Sequence, residues 1–305
     1  MLGEERYLSR RARVLDLFHS YIHRKSTNTM AASLPLVSCL CVTRNKPHKL
    51  RRALRCFNAQ TYPNRELVLV VESDDEASLA LLAEQSSDFR SANVLTHIVS
   101  AVPKLTLGDL RNVSIDVCNG EYFCQWDDDD WYHRERIAVQ MEGLAKSHQA
   151  ATLLTYWFMF ETGTRQAYLS PNRLWEGSIL CRKSVLDAAL RYPALPRMED
   201  TVFVNALAAR VGIFPQVAPS LYIYEVHENN TWNAKHFKLL LSVSQALPRA
   251  ASELIAGVMG GQYSPEQAAR VMDSKEILQE ARFYQVNDVP SNDELAKYRA
   301  YMAEG

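Results

Sequence analysis

Four carboxylates in a row, Asp127 to Asp130, directly follow the apolar run Tyr122-Phe-Cys-Gln-Trp126. Successive side chains at a strand end point in different directions, so the four must divide their work. One or two can turn inward onto a cation, while the others accept hydrogen bonds from a ligand or cap the next helix. A solvated acidic turn is the competing reading. Position argues against it. Trp126, Trp131 and Tyr132 frame the run, which sits at a strand's carboxyl end, where open α/β sheets bind ligands. The run reads as a metal and nucleotide site. A second acidic pair, Glu199-Asp200, opens a helix-like stretch, and acids favour helix N-termini for electrostatic reasons alone. Arg111, one turn into a helix, offers a guanidinium to phosphate or, equally, a surface ion pair to Asp109 or Asp116.

The elements that position these groups follow from hydrophobic pattern. Leu36-Val-Ser-Cys-Leu-Cys-Val42 and Glu66-Leu-Val-Leu-Val-Val-Glu72 are near-continuous apolar runs, as buried parallel strands require. Between them Leu50, Ala53, Leu54 and Phe57 share one helix face, and Tyr62-Pro63-Asn64 makes a turn. A helix from Glu76 to about Asp88, a strand at Val94-Leu-Thr-His-Ile-Val99 and a helix opened by a Thr106/Asp109 capping box precede the strand into the acidic run. This alternation predicts a parallel, right-handed, doubly wound sheet.

Beyond Ile137 the pattern changes. It predicts a helix to about His148, one aromatic-rich strand over 151–160 with a hairpin partner at 165–169, and a loop running into a strand at 175–181. A helix from Met198 to about Arg210, short strands at 212–217 and 221–226, and a mainly helical remainder from Lys235 complete the chain. The first 30 residues read as a separate helix, with Tyr7, Leu8, Val14, Leu15, Phe18, Tyr21 and Ile22 on one face and basic residues elsewhere. That face suits packing on its own domain or a second subunit better than a membrane surface.

At 305 residues the chain can bury a large core. Hydrophobic content of 47% and charged content of 23% fit a globular enzyme, and a net charge of −1 gives no bulk attraction to nucleic acid. The six cysteines form no CxxC pair and read as reduced core residues of a cytosolic protein. No apolar run reaches the roughly 18 residues a membrane span needs. No signal-peptide core is visible. In that compartment the sequons at Asn112 and Asn229 carry no meaning.

Taken together, the motifs resemble the inverting family-2 glycosyltransferases with the GT-A fold, over residues 36–232. Val37 to Asn45 followed by Ala59-Gln-Thr-Tyr-Pro-Asn64 is similar to the family's opening strand, helix and turn. The strand ending at Asp75 resembles its base-binding loop, although the chain has Glu72-Ser73-Asp74-Asp75 where the family ordinarily has Asp-Asp. Gly108-Asp-Leu-Arg-Asn112 is similar to the segment placing an Arg near the nucleotide, and Gly120 to Asp130 to the DxD region. Trp175-Glu-Gly-Ser178 resembles the donor-sugar loop, and Glu199-Asp200 the catalytic-base motif.

The resemblance implies an α/β, GT-A (Rossmann-like), mostly parallel sheet flanked by helices at 34–233. An N-terminal helix and linker (1–33) precede it, and a helical extension (234–305) follows. It implies Asp200 as general base with Glu199 beside it. Thr43, Asn45, Glu72, Asp74, Arg111, Asp127, Asp128, Gly177 and Ser178 would line the nucleotide sugar. Asp129, Asp127 and His227 would hold Mn²⁺ or Mg²⁺, hard ions that neutralise charge on a departing diphosphate. Asp130 is left to cap the helix. Trp175, Trp157 and Tyr156 suit either a sugar-stacking wall or the core. The implied donor is a UDP-sugar and the acceptor a hydroxyl of a glycan, lipid-linked or protein molecule. Nucleic acid is not an expected partner; a homodimer and peripheral contact with the inner membrane face are. A nucleotidyltransferase is the second enzyme reading, but it would carry a glycine-rich phosphate loop, and Thr43-Arg-Asn-Lys-Pro47 lacks the glycines. A non-catalytic nucleotide- or glycan-binding relative is the third.

Overall fold

A computed structural model describes residues 34–84, 93–228, 230 and 234–279. The helix expected within 1–33 and the tail beyond 279 lie outside the described residues. The first half contains β1 (Val37–Thr43), α1 (Pro47–Asn58), β2 (Arg65–Glu72), α2 (Glu76–Ala83), β3 (Val94–Val99), α3 (Leu107–Val117) and β4 (Tyr122–Gln125). Then come β5 (Trp131–Tyr132), α4 (Arg136–Ser147), β6 (Ala151–Leu154), β7 (Phe158–Glu161), β8 (Gln166–Leu169) and β9 (Trp175–Arg182). The last part holds α5 (Glu199–Ala208), β10 (Ile213–Gln216), β11 (Tyr222–Val226), α6 (Ala234–Ser242), β12 (Gln245–Ala246), α7 (Arg249–Met259), α8 (Pro265–Met272) and α9 (Lys275–Leu278).

Seven strands form the main sheet in the order β10-β6-β9-β4-β1-β2-β3. β1, β2, β3 and β4 are mutually parallel where they pair, as the alternation predicts. The apolar runs of β1 and β2 are buried on both faces, whereas β3 at the sheet's edge leaves Leu95 and Ile98 exposed, and the six cysteines are all free and buried. α1 turns Leu50, Ala53, Leu54 and Phe57 inward, and α3 opens with the reciprocal Thr106/Asp109 cap. One close approach depends on the absence of a side chain. A Cβ on Gly108 would lie 1.8 Å from the carbonyl oxygen of Pro193, so this glycine lets α3 press against the loop leading to α5.

Two expectations need correction. The run 151–160 is not one strand. β6 stays in the main sheet, while β7 joins a second sheet of order β12-β8-β7-β11-β5. The switch falls at residues 155–157, where the Thr155 N–H donates to the Gln216 carbonyl and the Trp157 N–H to the Ser170 hydroxyl. Both halves are buried, so an unbroken apolar run gives no sign of the change. The hairpin partner expected at 165–169 is β8.

The direction of β9, which the pattern left open, is antiparallel to both β4 and β6, because the chain returns to it from the second sheet and not through a crossover helix. Finally, Asp130 caps nothing. A short strand, β5, intervenes before α4, whose N-cap Glu135 makes no side-chain capping bond. Asp130 is instead fully buried, accepting from the Tyr222 hydroxyl and, at 3.0 Å, from the Glu225 N–H.

Candidate active site

The carboxyl ends of β1 and β4 lie side by side and deliver Lys46 and Asp127–Asp129 into one cleft of about 160 Å³. Arg111 of α3 enters from one side, and Trp175 to Gly177 at the start of β9 from another. Met198 to Thr201 close a third wall, with α6 contributing Phe237 opposite. Met198 adopts the left-handed conformation (φ 64°), which turns the chain sharply into α5 and presents Glu199 and Asp200. Gly177 lies against the Trp175 indole, 3.1 Å from where a Cβ would sit.

The four aspartates do divide their work. Asp127 accepts from Arg111 Nη2 (3.1 Å) and from Gln125 Nε2 (2.8 Å). Asp128 accepts from the Thr43 hydroxyl at 2.7 Å, and burial followed by the neighbouring Asp129 charge pushes its carboxyl up to about 7. Asp129 Oδ2 lies 2.7 Å from Lys46 Nζ and 3.0 Å from His227 Nε2. Burial alone would raise this carboxyl, but those hydrogen bonds and the Lys46 charge hold it well below the usual carboxylate range.

Arg111 is the keystone between the chain's halves. Its Nη2 meets Asp127 and its Nε donates to Glu199 at 2.9 Å, with Tyr192 stacked beneath at 5.9 Å. The surface pair with Asp109 or Asp116 does not form. Asp109 serves the cap, and Asp116 pairs with Arg191. Glu199 is therefore committed to Arg111. Asp200 is differently placed, accepting among the described residues only its neighbour's N–H, from Thr201 at 2.7 Å. Burial, then Glu199 and Glu176, push its carboxyl up to about 7. A carboxyl in that range exchanges protons near neutral pH, as a general base must.

Several expected contacts fall elsewhere. Glu72 and Asp74 are taken up by Arg44, and Glu72 also by Lys104. The Asn45 N–H donates to Asp75, which caps α2. Ser178 is fully buried, its hydroxyl donating to the Trp175 carbonyl and accepting from the Leu154 N–H, so it faces the sheet and not the cleft. Trp157 and Tyr156 belong to the core; Trp175, stacked on Trp157 at 4.6 Å, alone of the three lines the cleft.

For a divalent ion, Asp129 and His227 converge on one point and fit a hard or borderline cation that takes its remaining ligands from substrate phosphates. Asp127, held by Arg111, does not join them. No group of three such ligands occurs among the described residues. Two residues escaped the sequence reading. Lys46 follows β1 in a segment read only for its missing glycines. Arg136, fully buried, donates to the Gln125 carbonyl at 2.9 Å while stacking on Trp126, Tyr132 and Tyr222. Its signal was its place one turn past the acidic run, beside three aromatics.

This arrangement of strands, acidic run and cleft is the GT-A fold. Residues 38–186 match the family described as glycosyl transferase family 2. Over 93 residues it is 31% identical to the amylovoran biosynthesis glycosyltransferase AmsB of Erwinia amylovora, a match covering 30% of this chain and 30% of AmsB. Among solved structures it resembles S. aureus TarS, with a TM-score of 0.52, 15% identity, and coverage of 75% of this chain and 43% of that one. TarS 1–349 in complex with UDP-GlcNAc gives 0.53 at 14% identity, covering 81% and 72%. The mannosyltransferase PcManGT of Pyrobaculum calidifontis, in complex with GDP-Man and Mn²⁺, gives 0.52 at 12% identity, covering 98% and 92%.

Proposed function

We propose that the chain is a divalent-ion-dependent, inverting glycosyltransferase that moves a hexosyl group from a nucleotide sugar to an acceptor hydroxyl. The observation that carries this reading is Asp200, a carboxyl raised to about 7, in the cleft that also holds Asp127–Asp129 and Arg111. Asp200 takes the acceptor's proton as its oxygen bonds to the anomeric carbon. The bond to the diphosphate breaks on the opposite face, which inverts the centre. Asp129 and His227 would hold Mn²⁺ or Mg²⁺, which neutralises charge on the departing diphosphate. Lys46 and Arg111 bring fixed positive charge to the same space, and Trp175 offers a ring face to the sugar. Glu199 positions Arg111.

The family match over residues 38–186 and the donors named for TarS and PcManGT support a nucleotide sugar. A UDP-sugar is our first choice, with a glycan, lipid-linked or protein acceptor. No helix among the described residues is long and apolar enough to cross a membrane. The test is release of nucleoside diphosphate from a panel of UDP-, GDP- and dTDP-sugars, with and without Mn²⁺. Expected is Mn²⁺-dependent release from one donor, abolished by Asp200→Asn with donor binding retained. Preference for a nucleoside triphosphate over every nucleotide sugar would sink the reading in favour of nucleotidyl transfer.

A further inference from the structure

A second cavity, of about 430 Å³, lies on the far side of the acidic run, between α1, β5 and the turn joining α7 to α8. Its volume is in the range of small-molecule sites. Lys49, Arg51, Arg52 and Arg55 line it from successive turns of α1, and Arg134 from the other wall. Glu225 is the one carboxylate among its described lining residues. α1 itself carries no acidic residue.

The cations are not equivalent. Arg52 is committed, donating to the Asp129, Asp130 and Met259 carbonyls and pairing with Glu225, which Lys49 also meets at 3.3 Å. Glu225 is thus shared by two cations. Burial and then Arg52 press Lys49 downward against the pull of Glu225. Arg51 and Arg134 pair with Glu84 and Glu266, carboxylates more than half exposed. Such surface pairs are worth about 0–1 kcal/mol and exchange readily for a better anion. Arg55 is exposed at the rim. Trp131, Met259 and Tyr263 give the remaining wall an apolar surface.

We infer that this cavity binds a small organic diphosphate, its phosphoryl oxygens on Arg51, Arg55, Lys49 and Arg134 and its ring or chain on Trp131 and Tyr263. Guanidinium forks suit phosphoryl oxygens, and the exposed carboxylates that Arg51 and Arg134 now hold are readily displaced by a polyanion. The site is separate from the candidate active site, whose lining it does not share. Arg52 joins the two, because it grips the backbone of Asp129 and Asp130 from behind.

The shared chemistry is probed with inorganic pyrophosphate, titrated calorimetrically into the full chain in EDTA. Arg51→Gln with Arg55→Gln should weaken binding about tenfold or more, with an unchanged melting temperature in the absence of ligand. Arg134→Gln, on the opposite wall, should weaken it about threefold and serves should the α1 variant not fold. Lys46→Met, in the other cleft, should leave this binding intact. Pyrophosphate affinity that falls in Lys46→Met but not in the arginine variants, or no binding at 1 mM, overturns the inference. With that settled, UDP against geranyl diphosphate distinguishes a free nucleotide from a lipid diphosphate head group.

Discussion

Asp200→Asn should make the protein more stable in alkaline buffer while removing transfer. The Asp200 carboxyl sits at about 7 against an ordinary 3.8, raised first by burial and then by Glu199 and Glu176. A carboxyl raised in this way keeps its proton in the folded state after the unfolded chain has lost its own. Between about pH 4 and 7 the native state therefore binds more protons, and stability drops as pH rises. Above pH 7 the loss is complete. A difference of about three pH units, at about 1.4 kcal/mol each, caps it at about 4 kcal/mol. Asparagine carries no charge, and its oxygen still accepts the Thr201 N–H. The variant should recover about 1–4 kcal/mol at pH 8 and close to nothing at pH 4. In domains of this size each kcal/mol moves the melting temperature by about 2–4 °C. Wild type and variant are melted at both pH values, and transfer is assayed at pH 8, where it should drop about 10²–10⁴-fold. Equal melting at pH 8, or the same gain at both pH values, would refute the reasoning.

Wild-type transfer should rise with pH through about 7 and then level off, since Asp200 must be ionised to take a proton; a flat profile over pH 5–8 removes it as base. Asp129→Asn should weaken nucleotide-sugar binding and abolish its dependence on Mn²⁺, measured calorimetrically with and without the ion. Asp130→Ala leaves the Tyr222 hydroxyl and Glu225 N–H without their acceptor, so it should cost about 2–4 kcal/mol in chemical denaturation although it touches no substrate. Gly108→Ala should destabilise by about 1–3 kcal/mol, because the Pro193 carbonyl must move to admit a Cβ.

β1 and β2 were legible because buried parallel strands write themselves as unbroken apolar runs, and the α3 cap because Thr106 and Asp109 stand at the required spacing. The same property hid the change of sheet at residues 155–157, where burial on both sides leaves no periodicity to break. Acidic residues raised a different difficulty. Sequence locates Asp127 to Asp130 but does not give side-chain direction, so Asp130 looked like a cap when it is an internal anchor for β11. Arg111 had two readings because its partners, Asp127 and Glu199, lie 16 and 88 residues away, beyond the reach of any local pattern. Lys46 was missed for a related reason. A lysine in a loop is usually solvated, and only its proximity to Asp129 across 83 residues gives it a role.

The span closed by Arg111 and Glu199 also bears on the order in which the molecule is built. Loop-closure entropy rises by about 0.6 kcal/mol with each doubling of length, and it is paid before so distant a contact returns anything. The parallel strands β1, β2 and β4 can associate while Glu199 is still unplaced. Until α5 docks, Arg111 and Asp127 have each other but no second carboxylate. During synthesis from the N-terminus, a chain released before residue 199 would hold its acidic run and no base. Partial products of this protein should accordingly fold in part and remain chemically silent.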